Sequence, residues 1–96
     1  MQPIEPGLNG VMNIVEEFID AKGVSSDEPH IWELLTLIHA EISEATAAYR
    51  KGADYQKVGE ALVDAIIRIL HLLSVLDQDA DRLFVSVVER NLIQSN

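Results

Sequence analysis

The sequence predicts an all-α fold, an antiparallel four-helix arrangement completed by dimer or tetramer formation. Three observations predict it. Apolar residues recur at helical three- and four-residue spacings in four successive stretches. Breaks carrying glycine or aspartate separate the stretches, and the break from Gly52 to Tyr55 is short enough to fold its flanking helices back on each other. Apolar residues also make up 48% of a 96-residue chain, more than one small core covers, so a second copy of the chain is the expected partner.

Met1 to Gly7 holds two prolines and Glu5 and is expected to be a poorly ordered lead-in to a single domain over 8–96. Leu8, Val11, Met12, Val15, Phe18 and Ile19 form an amphipathic stripe, which predicts a first helix over about 8–21, closed by Lys22 and Gly23. After a polar linker, Ser26 or Asp27 is placed to cap a second helix, with Pro29 in its first turn, where no amide donor is needed. That helix runs to Lys51 and stops at Gly52, with Ile31, Leu34, Leu35, Ile38, Ile42, Ala45 and Tyr49 as its expected core stripe.

A third helix is predicted over about 56–76, with Val58, Leu62, Ile66, Ile69, Leu73 and Leu76 facing the core. Ile67 and Val75 lie on its other side, so this helix is expected to be sandwiched between neighbours. Asp77, Gln78 and Asp79 interrupt it. Asp79 is the expected N-cap of a fourth helix carrying Leu83, Phe84, Val87, Val88 and Leu92, whose valines need packing to hold them helical.

Charge and composition exclude several function classes. The net charge of −9 disfavours nucleic-acid polymers and anionic membranes, both of which attract basic surfaces. The chain has no cysteine, which excludes disulfides, zinc–thiolate sites and thiol chemistry. Its first residues lack a basic and then apolar leader, and no apolar run approaches the roughly 20 residues of a membrane span, so a soluble cytoplasmic protein is expected.

The residues that point to chemistry are four carboxylates in two helical pairs. Glu41 and Glu44 lie three apart, about 60° round the axis, with small or apolar Leu37, Ala40 and Ala48 near them. Glu60 and Asp64 lie four apart, and His71 shares their side of the third helix. Four carboxylates brought together in a partly dry site must protonate or hold a cation, and carboxylate oxygens suit a hard ion such as Mg²⁺, with Mn²⁺ as the alternative. Arg68, one turn after Asp64, is placed either for a local ion pair or for a phosphate contact. Trp32 fits stacking on a nucleobase or a packing role, and Asn91 a helix cap or a substrate contact.

The segments HAEISEATAAYRKG (39–52), GEALVDAIIRILHLLSVLDQD (59–79) and, more weakly, VVERN (87–91) resemble the MazG-type all-α nucleoside triphosphate pyrophosphohydrolases, of the superfamily that includes the dimeric dUTPases. The resemblance covers about the last two-thirds of the chain. It implies helical dimers or tetramers that bind Mg²⁺ and cleave a nucleoside triphosphate between its α and β phosphates, a house-cleaning activity on nucleotide pools. By position it also implies that Glu41, Glu44 and Asp64 are metal ligands; Glu60, only about 40° round the helix from Asp64, is placed as a further ligand or as the group that orients the attacking water. Ala61 stands where the family pattern has a second glutamate, Val87 where a basic residue is common, and the residues after Asn91 are not basic. These departures keep open a second reading, a catalytically degenerate helical module that binds nucleotide or protein.

Overall fold

The computed structural model describes residues 7–21 and 30–94, the side chains of residues 18–21 excepted. Four helices account for most of them: α1 (Leu8–Ala21), α2 (Ile31–Arg50), α3 (Tyr55–Val75) and α4 (Ala80–Gln94). The described residues contain no strand, and no helix among them is long and apolar enough to cross a membrane. The expected lead-in over 1–6, the closure at Lys22 and Gly23, and the capping roles of Ser26, Asp27 and Pro29 lie outside the described residues.

Local chemistry sets the helix ends. Between α2 and α3, Gly52 takes φ +81, a left-handed conformation that glycine adopts without a Cβ penalty. Asp54 then caps α3 by accepting a hydrogen bond from the Lys57 amide at 2.9 Å. Asp79 caps α4 as expected, accepting from the Arg82 amide at 3.1 Å. At the start of α2, His30 occupies the N-cap without a side-chain hydrogen bond.

The N-termini of α1 and α4 cap each other. The Asp81 carboxylate accepts from the backbone amides of Leu8 (2.7 Å) and Asn9 (3.2 Å), two donors that the first turn of α1 leaves unsatisfied. In return, the Asn9 side-chain oxygen accepts from the Ala80 amide at 2.9 Å, and its amide group donates to Asp79 at 2.8 Å. Gly7 adjoins this junction at φ +119, and a Cβ there would stand 3.1 Å from the Asp81 carboxylate. Beneath it lies a small apolar core of Met12, Leu70 and Ala80, flanked by Leu8, Val11 and Leu73. The Ser74 hydroxyl donates to Glu16, a further tie between α3 and α1.

The α2–α3 contact is the most extensive between helices. The least exposed residues of α2 are Leu34, Ile38, Glu41, Ala45 and Ala48, spaced four, three, four and three apart. On α3, the stripe Val58, Ala61, Ala65, Arg68 and Leu72 repeats the same alternation, with Ala65 and Leu72 buried. Such spacing keeps one line of residues facing a neighbouring helix. This seam bears out the expected core stripes in part, since Leu34, Ile38, Ala45 and Val58 lie on it and Leu73 packs against the small core, and corrects them in the rest. Ile31, Leu35, Ile42 and Tyr49 on α2, and Leu62, Ile66, Ile69 and Leu76 on α3, are exposed. The seam joins Leu34, Ile38, Val58 and Leu72 to small residues and to the Glu41–Arg68 pair, while most of the other large apolar residues of the two helices are exposed.

Loss of the reciprocal cap has two measurable consequences. Asn9→Ala removes one acceptor and one donor, and is expected to lower stability in urea unfolding by about 1–2 kcal/mol. Asp79 is held below its ordinary carboxyl value of 3.8, first by the Asn9 side chain and then by the Arg82 amide. A depressed folded-state pKa adds stability above the unfolded value, and that stability is lost as pH falls through the folded one. Wild-type urea midpoints should therefore drop as pH falls below about 4, and Asn9→Ala should show a shallower drop.

Candidate functional site

Glu41 is the best-defined of the candidate side chains. Its place on the α2 seam leaves the side chain only 13% exposed, and one carboxylate oxygen accepts a 2.7 Å charge-assisted hydrogen bond from Arg68 Nε on α3. Arg68 is 43% exposed, so its guanidinium lies at the edge of the seam with a route to solvent. Of the two roles expected for Arg68, an ion pair is present, but its partner is a carboxylate of the neighbouring helix and not Asp64 one turn away.

The other acids are exposed. Glu44 lies one turn beyond Glu41 on α2, and Asp64 one turn before Arg68 on α3. Glu60 accepts a 3.3 Å hydrogen bond from Gln56 within its own helix. His71 is half-buried on α3, and Ala61 is half-buried on the seam. Trp32 is 68% exposed in the first turn of α2, and Asn91 is exposed on α4, which packs on α1. A groove of about 460 Å³ runs along α4, lined by Asp81, Arg82, Val85, Ser86 and Glu89, and includes none of the candidate residues.

Among the described residues, no three His, Asp or Glu side chains are gathered so as to hold a metal ion. The donors available on α2 and α3 are nevertheless carboxylates, the ligand type of a hard cation. Mg²⁺ is commonly held by one or two carboxylates, with substrate phosphates and waters filling its other positions. Glu41, Glu44, Glu60 and Asp64 form no preformed all-protein cage.

Two features were missed in the sequence. Glu41 lies on the seam, which a stripe through the largest apolar side chains does not reach. The signal that finds it is the line of small residues Ala45, Ala48, Ala61 and Ala65, which continues at seam spacing to Glu41 and Arg68. The second is the pairing of Asn9 with Asp79 and Ala80, about seventy positions along the chain, for which no local pattern exists. Compared with protein-family models, curated proteins and solved structures, the chain matches none.

The Glu41–Arg68 contact is testable as a pairwise energy. A double-mutant cycle over Glu41→Ala and Arg68→Ala, read by urea unfolding, is expected to give a coupling of about 0.5–1.5 kcal/mol, above that of a fully solvated pair. A coupling near zero would mean that the two side chains do not meet in solution.

Proposed function

We propose that this chain is a subunit of a Mg²⁺-dependent nucleoside triphosphate pyrophosphohydrolase of the cytoplasm, releasing nucleoside monophosphate and pyrophosphate. The observation that carries this reading is the packing of the Glu41/Glu44 helix on the Glu60/Asp64 helix, with Arg68 reaching Glu41 between them. We take α2 and α3 as antiparallel. Moving one turn in opposite directions from Glu41 and Arg68 then brings Glu44 and Asp64 to the same level and the same side of the hairpin. Glu60 follows one turn further along that side.

In this reading Glu41, Glu44 and Asp64 hold the cation, and Glu60 is a further ligand or orients the attacking water. When bound, Mg²⁺ neutralises triphosphate oxygens and lowers the pKa of a coordinated water. Phosphoryl chemistry asks the protein mainly for positioning and charge stabilisation, so an acidic helix pair without a Ser, Cys or His nucleophile suits it. Trp32, His71 and Asn91 are candidate substrate contacts.

A homodimer or homotetramer is part of the proposal. The exposed apolar residues of α2 and α3 are the surface to cover. Leu62→Asp with Ile66→Asp should therefore shift the sedimentation coefficient to that of a monomer.

The second reading, a helical nucleotide-binding or protein-interaction module without turnover, is favoured by Ala61 at the expected acid position and by the engagement of Glu41 with Arg68. Incubation with each common nucleoside triphosphate and Mg²⁺, assayed for pyrophosphate, separates the two. The pyrophosphohydrolase reading expects release that falls at least roughly 100-fold in the E41Q/E44Q double variant, the scale of several kcal/mol of lost charge stabilisation. Nucleotide binding with no release above that variant assigns the chain to the second reading.

A further inference from the structure

We propose that α4 is a second contact surface between copies of this chain, pairing antiparallel with α4 of another copy and joining two dimers into a tetramer. This contact rests on the reading that the exposed faces of α2 and α3 pair chains into a dimer.

Little within the chain covers α4. Its first turn is tied to α1 by the reciprocal caps, but every described residue of the helix beyond Asp81 is exposed, including Leu83, Phe84, Val85, Val87 and Val88. Helices of this length are marginal in water even when built from good helix formers, and Phe84 and the three valines are modest ones. A neighbour packed along the apolar residues supplies the missing stability.

The charges of α4 identify that neighbour as another α4. Two copies with a net charge of −9 each repel at long range, so a contact between them has to bring its own attractive pairs. Val85, Val88 and Leu92 recur at spacings of three and four and form a seam, and Arg82 and Glu89, seven residues apart, lie together along one edge of it. A two-fold axis between Ser86 and Val87 sets Val85 against the partner's Val88, and Val88 against the partner's Val85. Along the edge, the same axis puts Arg82 beside the partner's Glu89, and Glu89 beside the partner's Arg82. The pattern is self-complementary, as a two-fold contact between identical helices requires. A parallel pairing instead sets Glu89 beside the partner's Phe84 and forms neither ion pair.

The size of the contact fixes its place in the assembly. The 15 residues of α4 make a helix about 22 Å long, and one pair of such helices buries less than the roughly 800 Å² per partner of a standard interface. That is too little to hold two monomers. A dimer carries two copies of α4, and once one is engaged the second engages at high effective concentration. Two different two-fold contacts on one chain close as a tetramer.

The test is sedimentation velocity on the full chain, with Arg82→Glu, Glu89→Arg, the double variant carrying both substitutions, and an equimolar mixture of the two single variants. Wild type is expected to sediment as a tetramer. Each single reversal sets like charges against each other across the contact, and should weaken tetramer formation at least roughly tenfold, leaving dimers. The double variant restores opposite charges and should form tetramers. So should the mixture, because one variant carries two acids along the edge and the other two bases; recovery on mixing also shows that neither variant is misfolded. If the single variants stay tetrameric, or the mixture stays dimeric, α4 does not pair with α4 and the contact is overturned. A dimeric wild type that Leu62→Asp with Ile66→Asp dissociates overturns the α4 contact and leaves the α2–α3 dimer standing. A monomeric wild type overturns both.

Discussion

A guanidinium and a carboxylate share the seam between two helices, and the arrangement of α2 and α3 follows from accommodating them. Placing charges at a helix contact carries a desolvation cost that only a close, well-directed partner offsets. Glu41 and Arg68 supply that partner for each other at 2.7 Å. The seam positions between this pair and the interhelical turn are Ala45, Ala48, Ala61, Ala65 and Val58, mostly small residues that bury little area individually. Leu34, Ile38 and Leu72 continue the seam beyond the pair, and most of the other large apolar residues of α2 and α3 are not used up in forming it.

The same economy of core appears at the other end of the chain. The α1–α4 junction rests on Met12, Leu70 and Ala80, and is fixed in direction by four polar contacts among Leu8, Asn9, Asp79, Ala80 and Asp81. Asn9 acts as a double-sided connector, since its amide group donates to one α4 cap residue and its oxygen accepts from the first amide of α4. Directional contacts of this kind fix register but contribute modestly to net stability. No large side chain among the described residues is fully buried. A chain of this length with so little enclosed core is short of hydrophobic stabilisation, and the outer faces of α2 and α3 are the surface that the proposed association would bury.

Most of the secondary structure was legible in the sequence because it is written locally. The α1 stripe, the stop at Gly52 and the cap at Asp79 each rest on residues within one turn of the boundary they set. The Asp54 cap is equally local, lying one residue before α3 and three before the amide it accepts from, but the sequence signal beside it is the stronger stop at Gly52. Facing was not legible. The apolar stripe read on α2 joins Leu34, Ile38 and Ala45, which lie on the seam, to Ile31, Leu35, Ile42 and Tyr49, which are exposed, because periodicity alone does not say which edge of a wide stripe meets a neighbour. Counting every large apolar residue into the core assumes that the whole apolar face is buried in the monomer, and here part of it is exposed. The candidate site shows the same division. That Glu41, Glu44, Glu60 and Asp64 fall on two successive helices was readable, whereas the capture of Glu41 by Arg68 depends on the relative rotation of α2 and α3.

Net charge constrains how any phosphate ligand reaches these helices. With sixteen acidic and seven basic side chains, the chain repels a polyphosphate anion at long range. It attracts a bare divalent cation, but the most sheltered of the candidate acids already has a guanidinium on it.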